Sequence, residues 1–209
     1  MKNSAPHPWE VIYQKDGRVF PEPFPRFDEV VDTFRAHGCS LVLDIGCGSG
    51  RHVVHLTRQG LRSLGLDIAP TGLHLAQAWM QEEGHEPMLA LGDTRKPLPF
   101  RDNSIEGVLS TQVIHHARMA AVRLAIGEIW RVLVPGGLAF VTVSGRRDAG
   151  LEFEEIETGT FVPLSGPEAG LAHHIFTMEE LRSEFQDYRI LELSARAEGA
   201  VLAVLAQKP

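Results

Sequence analysis

Three glycines and a carboxylate stand close together in the segment LVLDIGCGSGRH, which covers residues 41–52. The apolar residues at its start are typical of a buried strand, and the residues after Gly50 have the spacing of a helix. Glycine permits a positive φ and lets a ligand approach the backbone, and the helix that follows offers free N–H groups in its first turn. The segment therefore predicts a ligand-binding loop between a strand that ends at Ile45 and a helix.

Two carboxylates narrow the kind of ligand. Asp44 lies at the strand end, where it would repel a diphosphate and attract an ammonium group. Asp67 ends the next apolar run, 19 residues beyond Gly48, and a carboxylate at that distance can accept hydrogen bonds from ribose hydroxyls. The pair favours a ligand with a nucleoside and an amino group. The alternative is a tight turn without a ligand, in which both acids cap backbone groups.

Strands and helices alternate along most of the chain, which predicts a mostly parallel sheet with helical crossovers. Apolar runs predict strands at residues 41–45, 62–66, 87–91, 105–110 and 138–144. Near the end of the chain, YRILEL and AVLAVLA are joined by a short connection, so these two strands are expected to be antiparallel.

The chain of 209 residues is expected to form a single domain. Within it we expect an N-terminal arm and helix over residues 1–37 and a ligand-binding core over residues 41–144. An insertion should follow over residues 145–176, and a C-terminal helix with the antiparallel strand pair over residues 177–209.

Composition excludes several classes of protein. The formal net charge of −7 disfavours binding to a long phosphate backbone, so no DNA partner is expected. The two cysteines, Cys39 and Cys47, are too few for a disulfide framework, and no apolar run is long enough to span a membrane. The start of the chain lacks the apolar core of a signal peptide. These features predict a cytoplasmic protein, and they leave its oligomeric state open.

Four segments resemble the successive motifs of the class I S-adenosylmethionine-dependent methyltransferases. They are VLDIGCGSG, GLDIAP, LGDTRKPLPFRDNSIEGVLS and EIWRVLVPGG, and they fall in the order that the family has. The resemblance implies an α/β fold with a Rossmann-like, doubly wound sheet of seven strands in the order 3-2-1-4-5-7-6, with strand 7 antiparallel. It also implies S-adenosyl-L-methionine as cofactor and methyl transfer as the activity.

The resemblance further implies a place for each part of the cofactor. Gly46, Cys47 and Gly48 would line its methionine part, and Asp44 would contact the amino group directly or through water. The other implied contacts are Asp67 to the ribose, Ile68 to the adenine, Asp93 and Thr94 beside the adenine amino group, and Thr111 and Gln112 at the methionine end.

Methyl transfer from a sulfonium depends mainly on alignment and exclusion of water, because the leaving group is already charged. A base is needed only when the acceptor must lose a proton, and His115 is the candidate for it. His116 and His174 are candidates for contact with the substrate, with helix capping or packing as the alternative. The four histidines of the two adjacent pairs, His115-His116 and His173-His174, have the ligand type of a zinc site. Adjacent histidines seldom face one metal, however, and no carboxylate partner is evident, so no metal is predicted.

The aromatic N-terminal arm is expected to cover the cofactor, as such arms often do in this family. Trp9 and Tyr13 are four residues apart and would share one face of a short helix. A lid of this kind would keep water from the sulfonium. Packing of the arm on the sheet edge is the alternative.

The acceptor is expected to be a small molecule. The segment STQVIHHAR lacks the Asn/Asp-Pro-Pro-aromatic tetrapeptide that family members use on adenine or glutamine nitrogens. Two other functions stay open: a tRNA-modifying methyltransferase, because residues 112–137 resemble wobble-uridine enzymes, and a non-catalytic regulatory protein that binds the cofactor. A nicotinamide dehydrogenase fits less well, because Asp44 and the segment RVLVPGG do not suit it.

Overall fold

The computed structural model describes residues 6–209, which form six helices and ten strands. The helices are α1 (Pro8–Asp16), α2 (Phe27–Ala36), α3 (Arg51–Arg58), α4 (Pro70–Glu82), α5 (Met119–Val132) and α6 (Met178–Glu184). The strands are β1 (Leu41–Ile45), β2 (Arg62–Asp67), β3 (Leu89–Leu91), β4 (Ile105–Thr111), β5 (Leu133–Ser144), β6 (Phe153–Glu157), β7 (Thr160–Pro163), β8 (His173–His174), β9 (Arg189–Arg196) and β10 (Val201–Gln207). None of the helices in this part of the chain has both the length and the apolarity needed to cross a membrane. Residues 1–5 of the predicted arm lie outside the described residues.

Seven strands form one mixed sheet in the order β3-β2-β1-β4-β5-β10-β9. The first five run parallel to one another, whereas β10 is antiparallel to both of its neighbours, β5 and β9. Since β9 and β10 are the sixth and seventh strands of this sheet along the chain, the predicted order and the antiparallel seventh strand are confirmed. The order reverses between β1 and β4, and ligands of open α/β sheets bind at such a point.

Two strands begin at places that differ from the predicted ones. β3 begins at Leu89 rather than at residue 87, because Pro87 has no N–H to donate to a sheet. β5 begins at Leu133 because α5 runs directly into it, and the pairing with β4 is irregular between Ile105 and Gly107. The pattern of apolar residues marks the centre of a strand better than its ends.

Neighbouring residues of β1 bury their side chains on opposite faces of the sheet. Val42 packs in a cluster with Phe34 of α2, and Leu43 packs in a second cluster that includes Ile129 of α5 and Leu181 of α6. Both faces of the central strands are therefore covered, which explains their continuous apolar runs in the sequence. Burial of a side chain such as Phe34 contributes about 1.5–3 kcal/mol to stability.

Hydrogen bonds fix the N-terminal arm against α4. The Glu10 carboxylate of α1 accepts from the backbone N–H of Thr71 at 3.0 Å and from its hydroxyl at 2.6 Å. The unpaired N–H groups in the first turn of α4 are thereby partly satisfied by a residue of α1. This contact holds α1 at the carboxyl edge of the sheet.

The insertion contains a small antiparallel sheet, ordered β6-β7-β8, that the sequence did not predict. A backbone hydrogen bond joins β8 to the segment that follows β4: the His174 N–H donates to the His115 carbonyl at 2.8 Å. The insertion therefore lies beside the carboxyl edge of the large sheet. The division into arm, core, insertion and C-terminal part stays a prediction.

Candidate active site

A cavity of about 1050 Å³ lies at the carboxyl ends of the parallel strands. Its walls come from α1, the loop between β1 and α3, the ends of β2 and β4, and the small sheet. The candidate residues from the sequence line it with two exceptions, Asp44 and His174. The fold thus brings together side chains from segments that are far apart in the chain.

The loop between β1 and α3 needs its glycines. Gly46 has a φ of +73° and a Cβ there would overlap the side chain of Val113. Gly48 has a φ of +53°, and a Cβ there would overlap the hydroxyl of Tyr13. Between them, burial raises the pKa of the Cys47 thiol well above its usual range, so this cysteine is a neutral wall residue.

Asp67 at the end of β2 holds this loop in place. Its Oδ2 accepts from the backbone N–H of Gly48 at 2.8 Å, and its Oδ1 accepts from the N–H of Ala69 at 2.8 Å. Burial raises the pKa of the carboxyl group, while these backbone hydrogen bonds oppose the rise. The two oxygens keep further lone pairs for a ligand, and the adjacent Ile68 also lines the cavity.

Asp44 lies behind the loop and is fully buried. Neither carboxylate oxygen has a hydrogen-bond partner within residues 6–209, and burial raises the pKa of the group to about 7. The nearest ring is that of His52, whose Nε2 accepts from the Phe24 N–H at 3.0 Å and whose Nδ1 lies 3.8 Å from Asp44. The Nδ1 therefore carries the ring proton and lies 3.4 Å from the Thr111 hydroxyl. A buried carboxylate without partners is the feature that a cationic ligand group would satisfy.

Asp93 and Thr94 line the cavity beyond β3. Arg95 engages both oxygens of Asp93, with its Nε at 2.8 Å from Oδ1 and its second nitrogen at 3.0 Å from Oδ2. Burial alone would raise the pKa of Asp93, but the hydrogen bonds from Arg95 outweigh it and the pKa is lowered. The carboxylate is thus charged and fixed in orientation.

Thr111 and Gln112 come at the end of β4, next to the glycine loop. Gln112 has a φ of +58°, which is uncommon for a residue with a side chain and is seen where surrounding contacts enforce it. Its backbone N–H donates to the Thr142 hydroxyl at 3.0 Å, and its side-chain oxygen accepts from Ser144 at 3.3 Å. Both residues reach the cavity, as the resemblance implies.

His115 lines the cavity but has little character of a base. Burial, and then the neighbouring His173 and His174, lower the pKa of His115 to about 3. Its Nε2 lies 3.0 Å from the Ser144 hydroxyl, and its buried Nδ1 has no partner among the described residues. A base that works near neutral pH needs a pKa near neutral, and the lowered pKa of His115 does not suit that role.

Three other side chains meet on the same wall of the cavity: His116, Glu168 and His173. The Glu168 carboxylate lies 3.8 Å from Nε2 of His116 and 3.6 Å from Nε2 of His173. Burial lowers the pKa of both imidazoles and raises that of the Glu168 carboxyl. Glu168 belongs to no motif of the sequence, and His173 is recognisable there only as half of an adjacent histidine pair.

His174 faces away from the cavity, which corrects its expected contact with a substrate. Its Nδ1 lies 2.8 Å from the Thr160 hydroxyl and its Nε2 lies 3.0 Å from the Glu180 carboxylate. Both ring nitrogens are thus used inside the protein, and we assign His174 a structural role. Successive residues of a strand point to opposite sides, so His173 reaches the cavity instead.

Trp9 and Tyr13 lie on one face of α1, as their spacing predicts. Their ring centroids are 5.6 Å apart, and Trp9 also stacks on His116 at 6.4 Å. Tyr13 is buried over the glycine loop. Both aromatic side chains therefore form part of the cavity wall, between the loop and the histidines.

Residues 43–141 match the family model described as a methyltransferase domain. A probable tRNA methyltransferase 9B of Bos taurus is 33% identical over 117 residues, covering 56% of this chain and 24% of the relative. The chain spans 24% to 45% of the length of these curated relatives.

Solved structures share the fold along nearly the whole chain. An S-adenosylmethionine-dependent methyltransferase from Methanosarcina mazei has a TM-score of 0.71 at 22% identity, with 90% of this chain and 98% of that chain covered. A 1,6-didemethyltoxoflavin-N1-methyltransferase from Burkholderia thailandensis, solved with its substrate and S-adenosylhomocysteine, has a TM-score of 0.68 at 18% identity, with 100% and 92% covered.

Just under half of the chain therefore matches the methyltransferase-domain family, and the chain shares the fold of the solved methyltransferases. The site fits S-adenosylmethionine, the cofactor that the resemblance implies. Gly46 and Gly48 put backbone rather than side chain on the cavity wall, and the unpartnered Asp44 carboxylate behind the loop suits an amino group.

Proposed function

We propose that the protein transfers the methyl group of S-adenosylmethionine to a small-molecule acceptor. The observation that carries the proposal is the composition of one shared cavity. Asp67 and the glycine loop line it on the β2 side, while Trp9 and His116 line it beyond β4. A cofactor and an acceptor can therefore occupy one cavity side by side, which methyl transfer requires.

The proposed cofactor contacts follow the described geometry. Asp67 would accept hydrogen bonds from the ribose hydroxyls, and Asp44 would balance the charge of the amino group. When bound, the cofactor supplies a methyl group on a positively charged sulfur. The remaining proposed contacts are Ile68, Asp93 and Thr94 at the adenine, and Gly46, Cys47, Gly48, Thr111 and Gln112 along the methionine part.

The side chains that line the cavity would align the acceptor and exclude water. Trp9 lies against His116 and Tyr13 lies over Gly48, where the two rings would shield the transferred group from water once both ligands are bound. Correct alignment of two reactants can lower a barrier by about 7–11 kcal/mol. With a pKa lowered to about 3, His115 is a weak base, and its Nε2 lies 3.0 Å from the Ser144 hydroxyl, so we propose that it helps to shape the cavity wall.

The size of the cavity supports a small acceptor. Sites for a single ligand have volumes of about 300–1000 Å³, so a cavity of about 1050 Å³ has space for the cofactor and a second small molecule. A non-catalytic regulatory protein would need no space beyond that of the cofactor. The methyltransferase from Burkholderia thailandensis, which shares the fold, was solved with a small heterocyclic substrate.

A tRNA substrate is the second candidate. Probable tRNA methyltransferases are among the relatives, and Arg95, Arg146 and Arg147 line the cavity, where they could meet phosphates. The net charge of −7 opposes wide contact with RNA, which is why we place this candidate second.

A cytoplasmic location is also proposed. Cys39 and Cys47 are buried free thiols, and thiols persist in a reducing compartment.

Transfer of a labelled methyl group separates these functions. The purified protein is incubated with S-adenosylmethionine labelled in its methyl group, and with either tRNA or a panel of small amines, phenols and heterocycles. We expect label in a small molecule, and slower transfer by Asp67→Ala at a cofactor concentration near the dissociation constant of the wild type. Label only in tRNA, lost in Arg146→Ala and Arg147→Ala, would favour the second candidate. Tight binding of the cofactor without any transfer would favour a regulatory protein.

A further inference from the structure

His116, Glu168 and His173 converge without hydrogen bonding to one another. Their nearest nitrogen–oxygen distances are 3.8 Å and 3.6 Å, and one potential ligand atom from each residue lies within 4.8 Å of the others. Hydrogen bonds from nitrogen to oxygen are about 2.7–3.2 Å long, so these groups are close but not bonded. The gap between them has the size that an ion would bridge.

We propose that His116, His173 and Glu168 bind a divalent transition-metal ion such as Zn²⁺ on the acceptor side of the cavity. Two imidazoles and one carboxylate form the ligand set of many catalytic zinc sites and of non-haem iron sites. With ligand bonds of about 2.0–2.1 Å in a tetrahedron, ligand atoms stand about 3.4 Å apart. The nearest distances, one to each oxygen of Glu168, exceed this by only a few tenths of an ångström. With one ligand atom from each residue the separations stay within 4.8 Å, so rotation of these side chains would bring all three onto one ion.

An unpaired buried nitrogen is independent support for the site. Nε2 of His173 is shielded from solvent and has no hydrogen-bond partner within the part of the chain that the structure describes. Buried polar atoms nearly always have a partner, and an ion that the structure does not contain is one explanation for an exception. Nε2 of His173 is also the atom that lies 3.6 Å from Glu168.

The other histidine of each pair, His115 or His174, hydrogen-bonds within the protein instead. The ring nitrogens of His174 lie within hydrogen-bond distance of Thr160 and Glu180, and Nε2 of His115 lies within that distance of Ser144. Each pair thus offers a single ligand, so the objection that adjacent histidines seldom share a metal does not apply. The carboxylate that the sequence analysis could not find is Glu168, from the loop between β7 and β8.

Three protein ligands leave at least one coordination position open, and all three line the cavity. An oxygen or nitrogen of the acceptor could occupy that position, which would orient it and favour its deprotonated form. This use of the ion rests on the proposed methyl transfer. The binding of the ion does not.

Calorimetric titration of chelator-treated protein with Zn²⁺ tests the site directly. We expect one equivalent to bind with a dissociation constant in the micromolar range or tighter. His173→Ala and Glu168→Gln should each weaken binding at least tenfold. The matched control is His37→Ala, since His37 is exposed at the end of α2, where its ring bonds only the Thr33 carbonyl at 2.9 Å. Circular dichroism checks that each variant is folded, and Glu168→Gln keeps the shape of the side chain if His173→Ala fails to fold.

The absence of Zn²⁺ binding, or equal affinity in the wild type, His173→Ala and Glu168→Gln, would overturn the proposal. Titration with S-adenosylmethionine on the same samples keeps the two proposals separate, because an intact cofactor site with no metal binding removes only the metal. Visible spectra of the Co²⁺ form test the open position. Added azide should change the spectrum, and an unchanged spectrum would mean that the coordination is closed.

Discussion

The carboxylate of Asp67 accepts a hydrogen bond from the backbone N–H of Gly48 at 2.8 Å, which joins the end of β2 to the glycine loop. The other oxygen accepts from the N–H of Ala69, also at 2.8 Å. One side chain therefore fixes the loop and still offers lone pairs to the cavity. The shape of the loop and the proposed binding of the ribose therefore depend on the same group.

Replacing Asp67 with alanine should weaken the binding of S-adenosylmethionine about tenfold to a hundredfold. Hydrogen bonds to a charged acceptor contribute roughly 1.5–3 kcal/mol, and both the ribose contacts and the anchor of the loop are lost. Isothermal titration calorimetry measures the effect. Asp32→Ala is the control, because Asp32 is exposed on α2 and pairs only with Arg35. Equal affinity of Asp67→Ala and the wild type would remove Asp67 from the site.

Gly46→Ala should destabilise the protein more than Gly84→Ala. The two glycines have φ values of +73° and +77°, so the backbone strain of an added Cβ is alike. Only at Gly46 does that Cβ overlap another side chain, that of Val113. We expect an additional loss of about 1–3 kcal/mol in the free energy of unfolding, measured with urea.

Truncation of Val113 serves as the check on this explanation. The double variant Gly46→Ala, Val113→Ala should recover part of the added loss, because the overlapping methyl groups are gone. Equal losses at Gly46 and Gly84, or no recovery in the double variant, would show that the contact with Val113 does not constrain the loop.

Asp44→Asn should stabilise the protein relative to the wild type, and the gain should be larger at pH 8 than at pH 5. Burial raises the pKa of Asp44 from 3.8 to about 7, so the folded state holds a proton there that the unfolded chain has lost. Stability from this group is therefore present below about pH 4 and falls as the pH rises towards 7. Removing the charge should raise the free energy of unfolding by roughly 1–4 kcal/mol at pH 8 and by less at pH 5, as measured by urea unfolding.

The same variant should bind S-adenosylmethionine more weakly, because the amino group loses its counter-charge. Asp32→Asn is the control for both measurements, as an exposed carboxylate on α2. A pH-independent difference between Asp44→Asn and the wild type would contradict the raised pKa.

The ring of His115 should stay neutral from pH 5 to pH 8. Burial lowers its pKa from 6.5 to about 3. Between these two pH values the unfolded chain binds a proton at His115 and the folded protein does not. Stability from His115 is thus present above about pH 6.5 and is lost as the pH falls towards 3. Nuclear magnetic resonance of labelled imidazoles, with the signal assigned by its loss in His115→Asn, gives the titration. A midpoint near 6.5 would restore His115 as a candidate base.

The strands of the large sheet could be predicted because their signals are local and repeated. Segments such as Leu41–Ile45 are apolar on both faces, and the glycine loop after them is coded by adjacent residues. The order of the strands and the proposed cofactor contacts came instead from the resemblance of four motifs to a family. Asp67 and Gly48 each stand at a fixed place relative to a strand end.

The acceptor side was harder to predict because its residues meet only in three dimensions. Glu168 lies in a loop with no motif, and His173 differs from His174 only by the side of β8 to which it points. The small sheet consists of short strands whose pattern is weak, since most of its residues are only partly buried. No local rule in the sequence distinguishes such residues from an exposed loop.

The most direct test of the central claim is a calorimetric titration of the purified, ligand-free protein with S-adenosylmethionine and, separately, with NADH. We predict one site with micromolar affinity for S-adenosylmethionine and no heat of binding with NADH. Folded protein that does not bind S-adenosylmethionine would contradict the account, since neither the unpartnered Asp44 nor the glycine loop would then serve a cofactor.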